Sequence, residues 1–142
     1  MNYRGFQQRL AEDRRERVLH GRLQYVQAKD IVPEPESTSK LFEQILHQYP
    51  QWSREITLAS GEALIAYKPE SVVANIAPRA IMWLHGDADD RVSMEESQSM
   101  YQKAGEPKKL AILPGRGHSD IITGPGLEES LPHIRAWFAE HL

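Results

Sequence analysis

"AIMWLHGDADDRVSMEES", residues 80–97, is the stretch on which the reading of this chain turns. Its apolar run, Ala80 to Leu84, has strand length and no alternation, which predicts a strand covered on both faces. The run stops at His85 and Gly86. Three aspartates then fall within four positions, Asp87, Asp89 and Asp90. Carboxylates are costly at the end of a buried strand unless a partner there uses them. Ser93 with Glu96 reads as a capping box, opening a helix from Met94 to Lys103.

Toward the C-terminus, "GEP" (105–107) breaks that helix. "KKLAILPG" (108–115) reads as a second buried strand ending in a glycine turn. After "RGHSDIITGPG", residues 127–141 form a last helix with Leu127, Leu131, Ile134 and Phe138 on its buried stripe. Strand, helix, strand, helix is the pattern of parallel strands joined by a crossover helix, an α/β architecture.

Toward the N-terminus the reading is mainly helical. Residues 3–20 form a helix whose stripe is Tyr3, Phe6, Leu10 and Val18, interrupted by Arg14, and Gly21 stops it. "DIVPEPESTS" is a loop. Ser39 caps "KLFEQILHQY", which Pro50 ends. Ser60 caps "SGEALIAYKP", and "ESVVANIAP" adds a turn and a connector. The expected division is a helical cap and connector over 1–77 and an α/β segment over 78–142.

Composition bounds the rest. With 142 residues, a net charge of −3 and 40% hydrophobic residues, the chain is one globular domain or part of one. No apolar run nears the roughly 20 residues that span a bilayer. The opening "MNYRGFQQRL" lacks the apolar core of a secretory signal. The absence of cysteine removes disulfides, thiolate metal sites and cysteine nucleophiles, and fits a cytoplasmic protein. Residues 1–30 carry seven Arg/Lys against four Asp/Glu, a charge of +3 that leaves −6 for the remainder. Glu12, Asp13 and Glu16 interleave with Arg9, Arg14, Arg15 and Arg17. That pattern suits pairing along a helix rather than a phosphate-binding arm, so neither nucleic acid nor membrane is an expected partner.

In open α/β sheets, functional groups gather beyond the carboxyl ends of the strands. Two loops qualify, one with Asp87, Asp89 and Asp90, the other, "PGRGHSD", with His118. One crossover helix separates their strands, so both loops can share an edge. A carboxylate there would accept the Nδ1 proton of His118 and fix its tautomer. A calcium loop is a poor fit: counting from Asp87, the fifth position is Arg91 and the twelfth Gln98. Asp87 and Asp90 read as solvated loop residues or helix-end charges, His85 as a packed, hydrogen-bonded strand end, and Arg116 as a surface residue.

From about Pro78 to Leu142 the chain resembles the C-terminal end of α/β-hydrolase-fold enzymes. The shared pattern is His-Gly-x-x-Asp-x-x-Val, a helix, a strand, a Gly-His turn and a final helix. Here it reads "LHGDADDRVS" and "KKLAILPGRGHSD", with His118 falling 29 positions after Asp89. The resemblance implies that Asp89 is the triad acid, Val92 the apolar residue after it and His118 the triad base, with no cofactor and no metal. Ser93 stands where the family often has proline. The front half looks like the helical cap that some bacterial members place before the acid strand.

The family's nucleophile sits in a Gly-x-Ser-x-Gly elbow ahead of the acid and base. None of the ten serines has glycine at both flanking positions. "LASGEA" around Ser60 has glycine on one side only. Two strands also leave an open sheet edge, a template for another chain. The chain is then the C-terminal part of a serine-type hydrolase acting on an ester-like substrate, a subunit completed by a second chain, or a self-associating dimer. The alternative is a non-catalytic interaction module derived from the fold. Residues 54–60, "REITLAS", have the alternation that could cover the edge from within.

Overall fold

The computed structural model describes residues 3–32 and 34–142. They form two compact units, divided between Tyr67 and Lys68.

The first unit contains α1 (Tyr3–His20), β1 (Tyr25–Gln27), α2 (Glu36–Gln48), β2 (Glu55–Thr57) and α3 (Leu58–Ala66). α1 ends as its glycine requires: Gly21 takes φ 64° and its N–H donates to the Arg17 carbonyl at 3.1 Å. Its inward face is not the apolar stripe. Val18 is 84% exposed, whereas Asp13 is fully buried. The Gln24 N–H donates to Asp13 Oδ1 at 3.1 Å, and Arg17 Nε lies 2.7 Å from Oδ2. Arg14 and Arg17 also reach Glu62 on α3, so the basic face pairs across helices as well as along one.

Two helix starts differ from expectation. α2 begins at Glu36, led in by Pro35, whose φ of −61° is already close to helical. α3 begins at Leu58 because Thr57, not Ser60, is its cap: the Ser60 N–H donates to the Thr57 hydroxyl at 3.1 Å. The alternating "EIT" is a strand, but it pairs antiparallel with β1, Tyr25 opposite Thr57, and not with the rear sheet.

The second unit opens with 3₁₀ turns at Pro69–Ser71 and Val73–Ile76. It continues through β3 (Ile81–Gly86), α4 (Met94–Lys103), β4 (Lys108–Leu113), a 3₁₀ turn at Asp120–Ile122 and α5 (Gly124–His141). Residues 68–77 are tied into it: Glu70 accepts from Ser99 Oγ at 2.5 Å and Lys103 Nζ at 2.6 Å. β3 and β4 are parallel, from Ile81 opposite Lys108 to Gly86 opposite Leu113. α4 packs on both strands and α5 on β4.

β3 is not covered on both faces. Ile81 to Leu84 are only half-buried, and burial becomes complete at His85 and Gly86. Among the described residues no strand lies along its other edge, so the sheet has two strands. The Ser93 capping box does not close: Ser93 holds the cap backbone conformation, but its hydroxyl donates to Glu95. α5 starts at Gly124 and turns Gly126 and Ser130 inward, leaving Phe138 54% exposed. No helix among the described residues is long and apolar enough to cross a membrane.

Candidate active site

Because β3 and β4 are parallel and in register, the loops after Gly86 and Leu113 leave the same edge of the sheet. Backbone bonds lace them together. The Asp87 N–H donates to the Leu113 carbonyl at 3.2 Å and the Ala88 N–H to the Arg116 carbonyl at 3.1 Å. This approach demands glycine at 86, since a Cβ there would sit 1.9 Å from the Arg116 oxygen. Within the second loop, the Gly117 N–H donates to Asp120 Oδ2 at 2.8 Å.

The lacing brings Asp89 and His118 together, with His118 Nδ1 2.8 Å from Asp89 Oδ2. The Asp89 side chain is 6% exposed and that of His118 39%. Asp89 Oδ1 accepts the N–H groups of Arg91 at 2.8 Å and Val92 at 2.9 Å. Burial pushes the Asp89 carboxyl up. The bonds from the Val92 N–H, the His118 ring and the Arg91 N–H outweigh it and hold the group below its ordinary value. Asp89 is therefore an anion. A carboxylate partner assigns the proton to His118 Nδ1, which leaves Nε2 as the acceptor nitrogen on a ring open to solvent.

His85 is packed and hydrogen-bonded, as its place at the strand end suggests. Its Nε2 lies 3.0 Å from the Val92 carbonyl, which can only accept, and 3.4 Å from Asp89 Oδ2. Its Nδ1 then accepts from the Ser97 hydroxyl at 2.7 Å. The buried imidazole thus braces the turn that carries Asp89.

Asp87 is an exposed loop residue, as its sequence reading has it, and its Oδ1 also accepts the Gly115 N–H at 2.6 Å. Arg116 is engaged by Glu129 of α5, with Nε 3.0 Å from Oε2. The pairing lowers the Glu129 carboxyl and raises the guanidinium. Among the described residues no three His, Asp or Glu side chains are grouped to hold a metal ion.

No family model matches the chain. Over 58 residues, 41% of its length, it is 33% identical to "Uncharacterized protein YfhR" of Escherichia coli K12, covering 20% of that protein. The alpha/beta hydrolase GrgF from Penicillium sp. sh18 superposes with a TM-score of 0.75 at 20% identity, over 97% of this chain and 49% of that one. A monoacylglycerol lipase of Paleococcus ferrophilus does so with a TM-score of 0.64 at 16% identity, over 94% of this chain and 52% of that one. The chain therefore has an α/β-hydrolase-like fold. It spans about half the length of these solved structures and a fifth of YfhR.

Proposed function

We propose that this chain is the C-terminal portion of a serine-type α/β hydrolase that cleaves an ester or related acyl bond. It supplies the acid, Asp89, and the base, His118, while the nucleophile and oxyanion hole come from residues outside it. The observation that carries the reading is the 2.8 Å bond between His118 Nδ1 and a buried carboxylate beyond the ends of two parallel strands. His118 Nε2 takes the proton of the incoming hydroxyl as it attacks the acyl carbon. Asp89 stabilises the resulting imidazolium, and Nε2 returns the proton to the leaving group. The likeness to a lipase supports acyl chemistry. The open edge of β3, the exposed Phe138 on α5 and Leu142 just after it are the surfaces the other portion would cover.

Coexpression with a polypeptide that carries the preceding strands and a Gly-x-Ser-x-Gly elbow tests this. The chain alone should hydrolyse no aryl ester, because a base without its nucleophile gives little catalysis. The complex should turn over, and His118→Ala should lower kcat by on the order of 10⁶-fold. Turnover by the chain alone, abolished by His118→Ala, would place a nucleophile within these residues. The open edge of β3 also supports a second reading, a non-catalytic module that binds a partner there. An inactive chain that sediments as a compact monomer at micromolar concentration, and gains no activity from the added half, would favour it.

A further inference from the structure

The two site loops are joined by few ties. Two backbone bonds cross between them, from Asp87 to Leu113 and from Ala88 to Arg116. Beside the His118–Asp89 pair, the Asp87 side chain also crosses, its Oδ1 2.6 Å from the Gly115 nitrogen. Gly115 turns the second loop, with φ 68°. It is exposed, and the Asp87 carboxylate takes the place that water would otherwise hold on its N–H. From Gly115 the chain runs three residues to His118. A shift at Gly115 therefore moves the imidazole directly.

We propose that Asp87 is a positioning residue: its carboxylate clips Gly115 and so holds His118 within hydrogen-bonding distance of Asp89. The inference rests on the hydrolase reading for its purpose, but the clip is a property of this chain and is measured on it. What the clip requires is an acceptor oxygen at the right reach. An amide oxygen would serve as well as a carboxylate, and a methyl would not.

The test uses NMR on the full chain with Asp87→Ala and Asp87→Asn. The hydrogen-bonded Nδ1–H of His118 gives a far-downfield proton signal, and the Asp89 carboxyl carbon reports its own titration. Asp87→Ala should abolish the downfield signal and raise the Asp89 midpoint toward the ordinary carboxyl value, because the His118 bond that helps lower it is gone. Asp87→Asn should keep both close to wild type. A purely electrostatic role predicts the opposite sign: losing a neighbouring negative charge would lower the Asp89 midpoint in both variants.

Signals retained in Asp87→Ala, or lost equally in both variants, would overturn the proposal. Should Asp87→Ala fail to fold, Asp87→Ser takes its place, its hydroxyl being too short to span the gap. Failure of the completed enzyme to turn over would leave these outcomes untouched, so the clip and the hydrolase reading fail separately.

Discussion

The two units are held together by different means. Among the described residues of the first, only Val26 and Leu58 are buried hydrophobic side chains, and charge does much of the joining. Asp13 sits fully buried between Gln24 and Arg17, Glu62 gathers Arg14 and Arg17, and Glu34 pairs with Arg54, which also stacks over Phe42. The second unit buries Val73, Ala104, Ala111 and Leu113 and adds a six-residue parallel ladder, with loops that approach too closely for any residue but glycine at 86. The contrast shows where each is vulnerable. In the first, removing one side chain takes the partner from both a backbone donor and a guanidinium. In the second, adding one methyl group forces two loops apart.

Asp13→Ala should have the largest effect on stability. It leaves the Arg17 guanidinium without its buried partner and the Gln24 N–H without an acceptor. Leaving that donor unsatisfied costs about 1–3 kcal/mol, to which the loss of one of the two carboxylates facing Arg17 adds. Asp13→Asn, which can still accept from Gln24, should cost less. Hydrogen exchange would locate the loss. Protection should fall in β1 and β2 and stay unchanged in β3 and β4. An equal fall in both would break the contrast.

Gly86→Ala strikes the second unit. The new Cβ would meet the Arg116 oxygen at 1.9 Å and its carbonyl carbon at 2.5 Å, backbone atoms that cannot swing aside. Overpacking of this kind costs about 1–3 kcal/mol. Parting the loops should also extinguish the His118–Asp89 bond, read as loss of the downfield imidazole signal with the first unit's exchange unaffected. A variant of wild-type stability with that signal intact would show that the loops are more compliant than their packing implies.

How far the sequence anticipates this follows the same contrast. Residues 85–118 are legible because residue types mark them: an aspartate and a histidine at a fixed offset beyond two strands, and a helix whose ends, Met94 and Lys103, fall between Ser93 and the "GEP" break. The helix over 3–20 is equally clear in extent, yet its inward face is not. Which side of a helix is covered depends on its neighbour. α3 meets α1 on a charged face that no apolar stripe announces. For the same reason β3 reads as buried although Ile81 to Leu84 are half-open, since the run is suited to a larger sheet than these residues form. Asp87 stays hidden because its partner is a backbone N–H, which no residue type in the sequence marks.

The smallest effect expected sharpens the comparison in terms of pH and salt. The Asp89 carboxyl lies below its ordinary value in the folded chain, so folding favours its ionised form. Its stabilising contribution is therefore complete above the ordinary carboxyl value of about 4 and is lost as the pH falls through that value toward the lower folded one. Asp89→Asn lacks this dependence. The stability gap between wild type and variant should be about 1.5 kcal/mol at neutral pH, the low end for hydrogen bonds to a charged group, and should close in acid. A gap that widens in acid would mean that burial, not the bonds from Val92, His118 and Arg91, dominates the group. Added salt separates the units once more. The N–H groups of Arg91 and Val92 contact Asp89 at 2.8 and 2.9 Å and leave little for counter-ions to screen, so the gap should persist. Arg14, 59% exposed where it meets Glu62, should lose its contribution over the same range, and a double-mutant cycle on that pair would show it.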